Sequence, residues 1–264
     1  MSTVDVRLNA MVYGGDAMGR LPDGRAVFVP FGLPGELVRV RLTEEKRGHA
    51  RGMIEEIITA SPERVAPRCK HFTQCGGCHY QHLDIQRQLE TKQAVVIEQL
   101  ERLAGIENPP VAPVVPSPEA WNYRNTVTFL QNSDGRLGFA AANSHAVIPI
   151  EECPLLEPGL NDLWPRLDLE PLPDLDQVEL RLGAGDDILL ALRSRAEQPP
   201  ELELDLPLSA VYLTPLGPIV MAGEDYTVME VLGRSFRVGA GSFFEINTGV
   251  AEKMVQHLLA ALPL

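Results

Sequence analysis

The chain has 264 residues, 45% of them hydrophobic and 22% charged, which suffices to bury the core of one large or two smaller domains. No apolar run approaches the roughly 18 residues of a membrane helix, and Met1-Ser2-Thr3-Val4-Asp5 lacks the basic and apolar regions of a signal peptide. A cytoplasmic protein with no membrane partner is expected, in which cysteines serve as thiolate ligands rather than disulfides. The net charge of −13 argues against a nucleic-acid partner for the molecule as a whole, but it is unevenly spread. Residues 1–70 hold 11 Lys and Arg against 9 Asp and Glu, whereas residues 151–205 hold 15 acids against 4 bases.

Residues 4 to about 60 read as short strands parted by Gly-rich turns. Val4–Leu8 alternates apolar and polar, and Tyr13–Arg20 is Gly-rich. Ala26–Pro30 follows the Asp23-Gly24 turn, and Glu36–Leu42 and His49–Ile58 complete the set. This spacing predicts a small closed barrel of the OB type, an oligonucleotide-binding shape. Its basic residues Arg20, Arg25, Arg39, Arg41, Lys46, Arg47 and Arg51 are candidates, as a set, for phosphate contact.

A Pro-marked linker, Ser61–Pro67, leads into Cys69-Lys70-His71-Phe72-Thr73-Gln74-Cys75-Gly76-Gly77-Cys78-His79-Tyr80-Gln81. Three of the four cysteines fall in this stretch, and the fourth, Cys153, stands in Glu152-Cys153-Pro154. Four thiolates can close a zinc site or ligate one iron–sulfur cluster. The C-x5-C-x2-C spacing plus one distant cysteine follows the three-plus-one habit of iron–sulfur proteins, while His71, His79 and His82 keep zinc open. Gly76 and Gly77 let the backbone approach a bulky inorganic group.

From Asp84, a plausible N-cap, Ile85, Leu89, Val96, Leu100 and Leu103 recur at helical steps until Gly105 and Pro109-Pro110. Residues 108–120 are a Pro-rich connector. Asn125–Gln131 and Arg136–Ala141 flank a turn at Asn132–Gly135, and His145–Ile150 adds a third strand leading to Cys153. Gln177–Arg181, Ile188–Arg193, Ala210–Thr214 and Thr227–Leu232 read as further strands of one antiparallel sheet. Ser235–Gly241 is a strand, and Asn247 or Thr248 caps a helix with Val250, Met254, Val255, Leu258 and Leu259 on one face.

Several of these residues resemble one known family. They are Cys69–Gln81 with the helix bearing Gln88 and Lys92, Phe31-Gly32-Leu33-Pro34-Gly35-Glu36, Tyr123-Arg124-Asn125, Leu137-Gly138-Phe139, Cys153-Pro154 and Gly241-Ser242-Phe243-Phe244. The chain resembles, over essentially its whole length, the iron–sulfur-containing RNA (uracil-5-)methyltransferases. The resemblance implies an α+β chain: a TRAM domain over 1–61 that binds RNA, and a central antiparallel-sheet domain over 62–234. Residues 235–264 would only begin a Rossmann-like methyltransferase domain that is otherwise absent. It implies a [4Fe-4S] cluster on Cys69, Cys75, Cys78 and Cys153, and S-adenosylmethionine-dependent methylation of a uridine in rRNA or tRNA, with no DNA partner. Glu245 stands where the family has a Gln that touches S-adenosylmethionine. The family's nucleophile is a cysteine near the C-terminus, and all four cysteines here match cluster ligands. The chain is therefore expected to be inactive alone and to use S-adenosylmethionine only with the missing domain, for which a separately encoded catalytic domain is a candidate partner. Two other readings stand beside this: a stand-alone RNA-binding protein with a structural cluster or zinc, and a redox or oxygen sensor.

Overall fold

The computed structural model describes residues 2–142, 144–167, 169–172, 174–202 and 205–262. The chain forms two compact units, Met1–Pro116 and Ser117–Leu264.

The first unit opens with five strands: β1 (Thr3–Met11), β2 (Asp16–Arg20), β3 (Ala26–Pro30), β4 (Leu37–Glu45) and β5 (His49–Thr59). They close into the expected barrel in the order β1-β2-β3-β5-β4, with β1 pairing β4 antiparallel to complete the ring. Alternation decides which face is inside. Val6 and Leu8, Val27 and Val29, and Val38, Val40 and Leu42 are all buried, with polar residues between them facing out. The Gly-rich stretch before the Asp23-Gly24 turn is itself a strand, β2. Gly19 makes this possible, because a Cβ there would stand 2.5 Å from Val6 Cγ1 and 2.6 Å from the Arg7 carbonyl oxygen.

Beyond the cysteine loop lies α1 (Ile85–Ala104). The Asp84 carboxylate caps it by accepting from the Gln86 amide at 2.9 Å, and Gly105 ends it in the left-handed conformation at φ 66°. None of its residues is buried.

The second unit is built on a seven-stranded sheet: β6 (Thr126–Gln131), β7 (Leu137–Ala140), β8 (Val147–Pro149), β9 (Leu175–Leu182), β10 (Ile188–Ser194), β11 (Ser209–Thr214) and β12 (Gly217–Ala222). Its order is β12-β11-β10-β9-β6-β7-β8. The sheet is mixed, not antiparallel as the sequence suggests, because β10 and β11 pair in parallel. The connection through residues 195–208 is long enough to return the chain to the end at which β10 began, and strand periodicity carries no record of direction. The expected meander β6-β7-β8 is present.

The stretch expected as a further strand of this sheet, Thr227–Leu232, instead forms β13 (Tyr226–Val231), paired with β14 (Arg234–Gly239) in a separate two-stranded sheet. Leu232 and Gly233, at φ 51° and 69°, make the two-residue turn whose twist suits such a hairpin. A short helix, α2 (Pro158–Leu163), and a 3-10 turn at Trp164–Arg166 cover one sheet face with Leu160, Leu163 and Trp164. The last element, α3 (Thr248–Ala261), is capped by the Asn247 side chain, which accepts from the Val250 amide at 3.0 Å. Among the described residues no helix is long and apolar enough to cross a membrane.

Candidate functional site

The cysteine loop is short on regular structure, so polar side chains must fix it. Gln81, 8% exposed, joins its two ends: its Oε1 accepts from the Cys69 amide at 3.1 Å and its Nε2 donates to Cys78 Sγ at 3.3 Å. The Gly77 amide donates to Cys75 Sγ at 3.3 Å, and a Cβ on Gly77 would lie 3.4 Å from that sulfur. Two N–H groups thus point at cysteine sulfurs, the kind of outer hydrogen bond that orients a metal-ligating thiolate. None of the four cysteines forms a disulfide. Among the described residues, however, no three His, Cys, Asp or Glu side chains converge on a point where one metal ion could sit. The histidines that keep zinc open in the sequence are part of that result. His82 is fully buried with its Nε2 3.4 Å from the Gly32 carbonyl oxygen, and its ring lies 5.4 Å from that of Phe72 and 6.4 Å from that of Phe31. His79 packs instead under Gly15, whose missing Cβ makes room for it.

A buried ion pair docks the loop on the barrel. Glu36 has no solvent exposure and receives Arg64 at two points, Nε to Oε1 at 2.6 Å and Nη2 to Oε2 at 2.8 Å. The Leu33 and Ser61 amides complete its hydrogen bonds at 2.9 and 3.2 Å. Burial pushes the Glu36 carboxyl up, but the Arg64 and amide hydrogen bonds outweigh it and hold the group below the usual carboxylate range. Arg64 also donates to the Phe31 carbonyl oxygen at 2.8 Å, fixing Phe31 at a left-handed φ of 61° with its ring edge-on to Phe72 of the cysteine loop. Burial lowers the His82 pKa to about 4, so this ring is neutral at physiological pH.

In the second unit, Cys153 is gripped through its backbone. The Asn161 side chain accepts from the Cys153 amide at 3.1 Å and donates to the Cys153 carbonyl at 2.9 Å and the Leu156 carbonyl at 3.1 Å. Asn125, 1% exposed, does the same for the segment before α3: its Nδ2 donates to the Glu245 carbonyl and to Thr248 Oγ1, both at 3.0 Å. The Glu245 side chain itself is exposed. Gln81 and Asn125 stand inside motifs that the sequence singles out, but Asn161, Glu36 as an ion-pair partner and Arg64 give no local signal. Their partners lie 8, 28 and 28 residues away.

The seven basic candidates of the barrel do not form a bare cationic face. Arg25 pairs with Asp23 at 2.6 Å and Glu45 at 2.9 Å, and Arg39 pairs with Asp5 at 2.9 Å and Glu56 at 2.7 Å. Arg41 meets Glu55 at 3.1 Å, Lys46 meets Glu44 at 2.8 Å and Arg51 meets Asp16 at 3.0 Å. Arg20 donates to the Gly24 carbonyl at 3.1 Å, and Arg47 is exposed and, among the described residues, forms no ion pair. Such exposed pairs are weak and can be exchanged for phosphate.

Barrel closure, strand order and the residues on it agree with a known domain. Residues 2–54 match the TRAM domain. The chain is 34% identical over 260 residues to the 23S rRNA (uracil(1939)-C(5))-methyltransferase RlmD of Pectobacterium carotovorum, covering 91% of this chain and 57% of that protein. It is 40% identical over 165 residues to an RNA methyltransferase of Gloeobacter violaceus, over 61% of this chain and 36% of that one. A third relative, an RNA methyltransferase of Synechocystis, is 31% identical over 100% of this chain and 64% of its own length. The chain thus spans less than two thirds of each of these relatives. Its fold is shared with the Pyrococcus abyssi tRNA (uracil-54, C5)-methyltransferase solved with S-adenosyl-L-homocysteine: TM-score 0.68 at 20% identity, over 98% of this chain and 65% of that one.

Proposed function

We propose that these residues are the RNA-recognition and cluster-bearing part of an S-adenosylmethionine-dependent methyltransferase acting on C5 of a uridine in rRNA or tRNA. The observation that carries this reading is the match of the barrel to the TRAM domain within a chain related over nine tenths of its length to a 23S rRNA uracil-C5 methyltransferase. The TRAM barrel would hold the RNA backbone by exchanging surface carboxylates for phosphates at Arg39, Arg41 and Lys46 and by direct phosphate contact at Arg47.

Cys69, Cys75, Cys78 and Cys153 would hold a [4Fe-4S] cluster. What supports a cluster over a single zinc ion is the C-x5-C-x2-C spacing with one distant cysteine. The cluster would supply a rigid anionic body for its thiolate ligands. Gln81, the Gly77 amide and Asn161 orient the ligands through the bonds described above. Glu245, on the segment held by Asn125, would meet the ammonium or a ribose hydroxyl of S-adenosylmethionine.

Methylation at C5 requires addition of a nucleophile at C6, which makes C5 electron-rich, and later removal of the C5 proton by a base. If all four cysteines of the sequence are cluster ligands, no thiol of this chain remains for the addition. The test is anaerobic purification followed by iron, sulfide and zinc analysis, with a gel shift against structured rRNA and tRNA transcripts. About four irons per chain and an RNA complex are expected, one iron for each cluster position. Stoichiometric zinc without sulfide would remove the cluster, and absence of any RNA complex would remove the RNA reading.

A further inference from the structure

Within the first unit, one face of the TRAM barrel and α1 enclose a cleft of 550 Å³. Its walls include Tyr13, Asp16, Phe28 and Arg51 from the barrel, and Glu98 and Arg102 from α1. This lining combines aromatic rings with two of the paired arginines. Tyr13 is 77% exposed, so most of its ring is open to contact. The Arg51 guanidinium lies 5.8 Å from the Phe28 ring centroid, and the His49 ring stands edge-on to Phe28 at 5.9 Å. The barrel therefore places an exposed Tyr13 ring, the Phe28 ring and the Arg51 guanidinium in the lining of a cleft large enough to admit a nucleobase.

Beside them is a carboxylate with a spare oxygen. Arg51 Nη1 donates to Asp16 Oδ2 at 3.0 Å, while Oδ1 has no hydrogen-bond partner among the described residues. The two groups together offer two acceptor positions next to a cationic donor. The α1 side of the cleft is closed electrostatically by its own pair, Arg102 Nε to Glu98 Oε1 at 2.5 Å.

The geometry points to a binding site for an unpaired guanine base, on the reading of the chain as RNA-binding. The four bases differ in what they show along the Watson–Crick edge. Guanine alone shows two adjacent N–H donors, N1–H and the N2 amino group, next to an acceptor, O6. A carboxylate accepts both donors, and a neighbouring guanidinium serves O6. Adenine and cytosine would turn a ring-nitrogen lone pair toward the carboxylate, and uracil would flank its single donor with two carbonyls. Tyr13, held on the β1–β2 turn, would close over the base face. This turn is supported from below by the cysteine loop through the contact of Gly15 with His79, so the pocket and the loop share one support.

Fluorescence anisotropy of labelled uridine heptamers bearing one central guanosine, adenosine, cytidine or uridine tests this on the full chain. The guanosine heptamer is expected to bind about ten-fold more tightly than the other three, within the range for one bidentate base contact. Asp16→Asn, which keeps size but loses one acceptor, should reduce that preference to about two-fold or less. Tyr13→Ala, an exposed change that does not touch the core, should weaken all four heptamers by about ten-fold through the loss of stacking. Equal affinity for the four heptamers, or a guanosine preference that survives Asp16→Asn, overturns the site. If no heptamer binds at millimolar concentration but a structured rRNA or tRNA transcript does, the pocket falls and the RNA-binding reading stands. If neither binds, both fall.

Discussion

A carboxylate with no solvent exposure persists in a protein only if its hydrogen-bonding capacity is met, and Glu36 meets it with four donors from three residues. Removing the cation and leaving the charge is the costly change. Arg64→Met is expected to destabilise the protein by about 3 kcal/mol, readable in urea unfolding, whereas Glu36→Gln with Arg64→Met together should cost less than the sum of the two singles. A second residue-scale consequence is the response to acid. The His82 pKa is lowered from its ordinary value near 6.5 to about 4, so the unfolded chain binds a proton that the folded chain refuses between these values. Stability tied to this ring is complete above pH 6.5 and is lost as pH falls from 6.5 towards 4. The loss is about 3 kcal/mol over that window, from a shift of roughly 2.5 units. Glu36, whose pKa is depressed, acts in the same direction but lower: its contribution is present above the ordinary carboxylate pKa and disappears as pH drops below it. His82→Phe, into a site already lined by Phe31 and Phe72, should flatten the stability profile between pH 6.5 and 4 while leaving the acid limb due to Glu36. An unchanged profile in the variant would show that His82 is not the titrating group.

Elements differ in how openly the sequence declares them. α1 is legible at both ends, since an Asp cap and a left-handed Gly are chemical signals confined to one or two residues. The barrel strands with alternating Val and Leu are equally plain, but β2 and β12 are not. In β2, Gly19 replaces the side chain that alternation relies on. In β12 (Gly217–Ala222), Ile219 and Val220 stand exposed in succession, so no inside face is marked. Strand direction fails at β10–β11 for the reason that a long connection is compatible with either sense. The cysteine motif is visible in the sequence by its spacing, while the side chains that hold its surroundings, Asn161 at Cys153 above all, act across distances that periodicity does not encode. Asn161→Ala should therefore leave the fold of the sheet intact but loosen Cys153, lowering iron retained per chain after anaerobic reconstitution. Cys153→Ser should abolish it. Full iron content in Cys153→Ser would show that this cysteine is not a ligand. The helix α3 carries its own expectation. Only Ala251 of it is buried, whereas Met254, Val255, Leu258, Leu259 and Leu262 lie exposed along one side. Light scattering of the purified chain should show association that rises with concentration and is suppressed by Leu258→Glu with Met254→Glu.

At the scale of the whole molecule the difficulty is charge. A chain of net charge −13 repels RNA on average, and the barrel answers with cations that are already paired to neighbouring carboxylates. On the proposed RNA-binding reading, binding would be an exchange, each phosphate displacing a carboxylate from an arginine or lysine and releasing a counterion of its own. Affinity should be modest and fall with salt. Neutralising Arg39, Arg41, Lys46 and Arg47 together should lower the slope of log affinity against log salt by up to about three to four units, at roughly 0.7 to 0.9 for each phosphate no longer neutralised. An affinity indifferent to salt would move the RNA site away from these residues and toward stacking. Catalysis is bounded by a different count. The sequence holds four cysteines, and a cluster that uses all of them leaves no sulfur for addition to uridine C6. If all four cysteines are ligands, these 264 residues, reconstituted with iron and sulfide and supplied with S-adenosylmethionine, are expected to transfer no tritiated methyl group to unmodified rRNA or tRNA. Turnover by that preparation would mean that one of the four cysteines serves as nucleophile instead of ligand. Serine replacement of each in turn would identify it as the one whose loss ends turnover while iron content stays unchanged.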